Sequence, residues 1–239
     1  MHNNPLTICV LGGMGTYATI NLFRQYAEVF PAKKEWERPR IIIDNNCTMP
    51  SRVVAWETGN GKDKLVEIMT TSIKNLILSG GENTKVILAC NTSHLFLPYI
   101  YEKYPEARKY VLNIIDNCVE ELSNKGITSV FLLASEGTID SEIYQTKLRL
   151  KGIVCKTPTK DMYSEIRTCI EAVKQNSYSD EIRNIFLHLL GSEENIILGC
   201  TELPILYEKY SNPRNDVYDP LLMAVKELRK EYERLYISV

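Results

Sequence analysis

The sequence predicts an α/β protein built as two similar lobes with mainly parallel sheets. Three observations carry that prediction. Short β-branched runs alternate with longer amphipathic stretches along the whole chain, the pattern of parallel strands covered by helices. Two segments, VILACNTSHL ending at Leu95 and IILGCTELPI ending at Ile205, repeat one design: an apolar strand, a cysteine, then a threonine within two residues. Their cysteines, Cys90 and Cys200, lie 110 positions apart in a chain of 239 residues, close to half its length.

In chain order, the first strand is expected at Leu6–Leu11, where TICVL is apolar and β-branched and GGMG stops it. A helix over Thr16–Phe30 follows the glycines. Arg40–Ile43 reads as the second strand, Lys62–Leu78 as an amphipathic helix and Lys85–Ala89 as the third strand, delivering Cys90. The second half repeats the scheme, with strands at Thr128–Leu133 and Asn195–Leu198. Helices are expected at Ile139–Leu150, Ser164–Lys174 and Asp180–Leu190, and a last one at Pro220–Tyr236 is expected to return to the first lobe. The expected division is residues 1–113 plus 214–239 for the lobe carrying Cys90, and 114–213 for the lobe carrying Cys200.

Composition narrows the function. With 44% hydrophobic residues the chain can bury a large core. Twenty-eight basic residues balance 30 acidic ones without a Lys/Arg block, so nucleic acid is not an expected partner. No apolar run approaches the roughly 18 residues that span a bilayer, and MHNNPLTICVLGG has no basic region ahead of its apolar stretch. A cytoplasmic protein is expected, with no membrane partner. Seven cysteines, an odd number with no CxxC, argue for reduced thiols, and His2, His94 and His188 make no zinc spacing with them. No metal and no cofactor are expected.

Parallel strands end in a ligand crevice, so both cysteines are placed to face each other across a cleft. A thiol between a strand and a helix start meets converging N–H groups and the helix dipole, which should stabilise its thiolate. One such cysteine would ordinarily be a small buried hydrophobe. Two in matched contexts suit the removal of a proton from one face of a carbon and its delivery to the other.

The motifs LGGMGTYAT, CNTSH, EGTIDSEIY and GCTEL, in this order over nearly the whole chain, resemble the aspartate/glutamate racemase family. The resemblance implies two pseudo-symmetric Rossmann-like lobes that often dimerise, hence a homodimer. It also implies pyridoxal-free racemisation of a small acidic amino acid, with Cys90 and Cys200 catalytic. By the same matching, Asn91, Thr92 and Thr201 would hold the substrate's α-carboxylate and α-amino groups. Arg52, in IIIDNNCTMPSR, would grip the distal carboxylate and Lys174, in CIEAVK, would assist it. Gly13, Met14, Asn45, Thr138 and Glu202 complete the expected substrate contacts. Ser51 and Cys47 depart from the family's pattern around the arginine, and GCTEL lacks the histidine of typical glutamate racemases, which favours aspartate. His94 and Glu202 stand close enough to the cysteines to tune them, or to serve as caps or packing groups.

Two other readings belong beside this one. Gly13–Met14–Gly15–Thr16–Tyr17–Ala18 fits the GxGxxG/A dinucleotide fingerprint, which would make the chain an NAD-linked dehydrogenase, although the acidic residue expected about 20 positions on is poorly placed. Related paired-cysteine isomerases act on maleate or hydantoins.

Overall fold

The computed structural model describes residues 6–237, side chains through Leu235. Residues 1–5 with His2, and 238–239 at the end of the expected first lobe, lie outside the described residues. Strand β1 (Thr7–Gly12) is buried along its length and leads through a glycine turn into helix α1 (Thr16–Val29). Strand β2 (Arg40–Asn45), helices α2 (Arg52–Thr58) and α3 (Lys62–Gly80) and strand β3 (Thr84–Leu88) follow. Helix α4 (Leu97–Lys103) and helix α5 (Ile114–Asn124) complete the first half. The second half runs β4 (Ser129–Leu133), α6 (Glu136–Asp140), α7 (Ile143–Leu150), β5 (Val154–Lys156), α8 (Tyr163–Lys174) and α9 (Asp180–Leu190). It closes with β6 (Ile196–Leu198), α10 (Leu203–Tyr210), β7 (Val217–Tyr218) and α11 (Pro220–Ile237).

Two sheets form, in the order β2-β1-β3 and β5-β4-β6-β7, with every described pairing parallel. They correspond strand by strand. Ala89 N–H extends β3 by bonding Leu11 O at 2.9 Å, and Gly199 N–H extends β6 by bonding Leu133 O at 2.8 Å. Val111 makes an isolated parallel bridge to Val86, beside β3, where the second sheet has β7 beside β6.

Alternation along the central strands distributes three cores. Ile8 and Val10 of β1 and Val130 and Leu132 of β4 enter one shared core with α1, α5, α7 and α11. Cys9 and Leu11 face a core built with α3, whose apolar side recurs at Leu65, Met69, Ile73, Leu76 and Ile77. Phe131 and Leu133 face α8, α9 and α10. Helix α11 packs on α1 and α5, and its Leu221, Ala224, Val225 and Leu228 enter the core shared by β1 and β4, so the last element of the chain ties the two halves together.

The expected helix Ile139–Leu150 is instead two. Glu142 adopts a left-handed conformation at φ 54°, which ends α6 and redirects α7. A non-glycine residue pays of order 1–2 kcal/mol for that conformation. The break offsets this by letting α6 hold Thr138 against the first half while Tyr144 and Leu148 of α7 enter the shared core.

Candidate active site

Cys90 and Cys200 each stand two residues beyond β3 and β6, the corresponding strands of the two sheets. Both line one cavity of about 90 Å³, together with Met14, Arg52, Asn91, Thr92, Lys174, Thr201 and Glu202. Gly13, Asn45 and Thr138 are not on its wall. Each has a different place: Gly13 packs on the Asn46 backbone, Asn45 donates weakly to Thr16 and Cys47, and Thr138 is fully buried behind Thr92. The wall also contains Ser51, Val53, Ser135, Ile170 and Gly199, which motif matching did not select as contacts. Ser135 had one sequence signal, a serine directly after an apolar strand and before a helix. The cavity adjoins a wider hollow of about 350 Å³, with which it shares Ser51, Val53, Ser135, Ile170 and Lys174.

The backbone around Cys90 is pinned by its own turn. Ser93 Oγ donates to Cys90 O at 2.6 Å, and His94 Nδ1 bonds the same carbonyl at 2.9 Å. Ile114 N–H points at His94 Nε2 from 3.4 Å, so Nε2 is the acceptor and Nδ1 carries the proton. Burial pulls the His94 pKa down to about 4 despite those backbone bonds. His94 is therefore a neutral brace that shapes the Cys90 turn.

Asn91 is oriented the same way. The buried Tyr144 hydroxyl donates to Asn91 Oδ1 at 2.5 Å, which fixes the amide and leaves Nδ2 buried without a hydrogen-bond partner. Thr92, Ser135 and Thr138 form a hydroxyl cluster across the two halves, with Thr92 Oγ1 2.9 Å from Thr138 Oγ1 and 3.3 Å from Ser135 Oγ.

The expectation that helix starts would stabilise both thiolates needs correction at Cys200. A 3-10 turn at Thr92–Phe96 separates Cys90 from α4, and α10 starts three residues past Cys200. Cys200 Sγ instead donates to Glu202 Oε2 at 3.0 Å. Burial first, then the Glu202 carboxylate as charge and acceptor, hold the Cys200 thiol well above the usual thiol range, outweighing the Glu202 backbone N–H that favours the anion. Glu202 itself is 3% exposed.

Arg52 opens α2 and lies on the cavity wall. Its NH2 donates to Met14 O at 2.8 Å and its NH1 to Pro50 O at 3.1 Å, while Nε is buried without a partner. No acidic side chain among the described residues forms an ion pair with it. Lys174, at the end of α8, bonds Glu171 Oε1 at 2.7 Å. Burial alone would lower its pKa, but Glu171, with Glu202 and Cys200 nearby, holds it above the ordinary lysine value.

The glycine turn is filled by the protein itself. A Cβ on Gly12 would collide with Thr19, one on Gly13, at φ 81°, with the Asn46 backbone, and one on Gly15 with the Glu202 carboxylate. Here the glycines admit a neighbouring loop and a carboxylate. A carboxylate against Gly15, the residue preceding α1, opposes the pyrophosphate that the dinucleotide reading would put there.

Comparison with known proteins places the chain in a family. The Asp/Glu/Hydantoin racemase family matches residues 11–228. A segment of 139 residues is 32% identical to an uncharacterized protein of Pectobacterium carotovorum, covering 56% of this chain and 89% of that one. A segment of 152 residues is 28% identical to the glutamate racemase of Staphylococcus epidermidis, covering 59% of this chain and only half the length of that relative. Among solved structures, the aspartate racemase of Picrophilus torridus superposes with a TM-score of 0.76 at 25% identity, covering 97% of this chain and 99% of that one. The glutamate racemase of Francisella tularensis, in complex with D-glutamate, shares the fold with a TM-score of 0.64 at 20% identity, covering 98% and 82%. With a match that runs through both cysteine motifs and nearly the full length, the chain belongs to the Asp/Glu/Hydantoin racemase family.

Proposed function

We propose that this protein interconverts the enantiomers of an acidic amino acid, aspartate before glutamate, by a two-thiol mechanism without pyridoxal phosphate. The observation that carries the reading is one small cavity whose wall brings Cys90 and Cys200 together with Arg52, Asn91, Thr92 and Thr201. A guanidinium, an amide and two hydroxyls on that wall favour a ligand rich in acceptors. A dicarboxylate is such a ligand.

In this scheme the substrate's distal carboxylate meets Arg52, and Asn91, Thr92 and Thr201 hold the α-carboxylate. One sulfur, as thiolate, removes the α-proton. The electron pair moves into the α-carboxylate, where the same donors stabilise the developing charge. The other sulfur, as thiol, returns a proton to the opposite face. Each turnover exchanges the protonation of the two sulfurs, and no net electrons or atoms are consumed.

Chiral chromatography after incubating the purified protein with each acidic amino acid tests the proposal directly. Interconversion of aspartate is expected, with solvent deuterium at the α-carbon of the product. Cys90→Ala and Cys200→Ala should each abolish it in both directions. Full activity in either variant, or turnover of maleate or a hydantoin with inert aspartate, would overturn the assignment.

A further inference from the structure

Glu202 is an odd neighbour for a site that must bind a dianion. It is a carboxylate, almost fully buried, on the wall of the cavity. Its Oε2 accepts from a thiol and a hydroxyl of the two preceding residues, Cys200 Sγ at 3.0 Å and Thr201 Oγ1 at 3.2 Å. Thr201 Oγ1 also lies 3.5 Å from Ala89 O, the carbonyl just before Cys90. The other carboxylate oxygen, Oε1, faces Gly15, where no side chain larger than hydrogen fits. The carboxylate is thus held between the Cys200–Thr201 donors on one side and the Gly15 backbone on the other.

We infer that Glu202 is a positioning residue of the racemase proposed above, which keeps the proton on Cys200 in the resting enzyme and leaves Cys90 to supply the working thiolate. A carboxylate at hydrogen-bond distance accepts from a thiol but repels a thiolate, so it makes the two sulfurs unequal although their strands correspond. The other charged or titratable groups around Cys200 are Cys90, which adds to the same bias, and Lys174, which opposes it and is itself bonded to Glu171. Arg52 is the remaining cation on the cavity wall. Glu202 is the one group bonded directly to Cys200 Sγ in the hydrogen bonds described.

The test reads sulfur ionisation rather than turnover, so it stands even if aspartate proves not to be the substrate. The full-length protein and its Glu202→Gln variant are treated with iodoacetamide from pH 6 to 10, and the Cys90 and Cys200 peptides are quantified by mass spectrometry. In the unaltered protein the Cys200 alkylation midpoint should lie above that of Cys90. In Glu202→Gln it should fall by at least about one pH unit, or about tenfold in rate at a fixed pH below the midpoint, with Cys90 moving less. Glu202→Asp, which keeps the charge but shortens the reach, should give a smaller fall, and serves if the glutamine variant does not fold by circular dichroism. An unchanged Cys200 midpoint, or equal movement of both cysteines, would overturn the inference. So would a rise in KM with no change in alkylation, which would make Glu202 a substrate ligand.

Discussion

Cys200 Sγ and Glu202 Oε2 are 3.0 Å apart, whereas Cys90, at the corresponding strand end of the other sheet, is surrounded by bonds to its own carbonyl and has no carboxylate partner among the hydrogen bonds described. The near-symmetry of the two strand ends thus stops at the sulfurs.

That inequality predicts unequal kinetics for the two enantiomers. Racemisation has an equilibrium constant of one, so kcat/KM must be the same in both directions, but kcat and KM need not be. The enantiomer whose α-hydrogen faces Cys90 binds the favoured protonation state directly. It should show the lower KM, and a kcat lower by the same factor. Initial rates from each enantiomer, followed by circular dichroism, measure both constants. In Glu202→Gln the two KM values should converge. Equal KM values in the unaltered protein would count against the bias.

His94 predicts a pH dependence of stability. In the unfolded chain its imidazole titrates near 6.5, and in the folded protein burial delays protonation to about 4. Between those values the unfolded state binds a proton that the folded state does not, so the histidine destabilises the fold as pH falls. The loss begins below about pH 6.5 and is complete near pH 4, where it amounts to about 3 kcal/mol. Urea unfolding between pH 7 and 5 should show this slope, and His94→Gln should flatten it while starting from a lower stability at pH 7. A variant with the slope of the unaltered protein would place the responsible group elsewhere.

Much of the fold was readable because long elements carry strong periodicity. Helix α3 shows its buried stripe over 19 residues, and β1 is one apolar run ended by glycines. The short elements gave no such signal: β5 has three residues and β7 two, and they are strands only because β4 and β6 pair with them. Helix α5 was overlooked although Asn113 caps it by accepting from Ile115 and Asp116 N–H, a local signal that could have been used. At the site, the cysteine motifs were legible from repetition. The Thr92–Ser135–Thr138 cluster and the Tyr144–Asn91 bond were not, since they join residues more than 40 positions apart through a helix break at Glu142. The thiol asymmetry was equally hidden, because motif spacing places Glu202 near Cys200 but cannot orient its carboxylate.

Specificity is predicted to rest on Arg52. Two backbone carbonyls, Met14 O and Pro50 O, hold the guanidinium in place without neutralising it. A cation so fixed favours a carboxylate that can bond it in its plane, and a charged hydrogen bond of this kind contributes roughly 1.5–3 kcal/mol. Arg52→Ala should therefore lower kcat/KM for aspartate by about one to two orders of magnitude. Alanine, which has no distal carboxylate, is the internal control: any slow racemisation of it should change little. Arg52→Lys should restore part of the loss, because an ammonium keeps the charge but not the planar fork. Lys174→Ala should act in the same direction and more weakly, since Glu171 already occupies that ammonium. The same bonds to Met14 and Pro50 mean that Arg52 could instead serve only to brace the turn after β1. In that case Arg52→Ala would damage alanine and aspartate alike and lower the unfolding midpoint, and the distal-carboxylate site would have to be sought at another cation on the cavity wall.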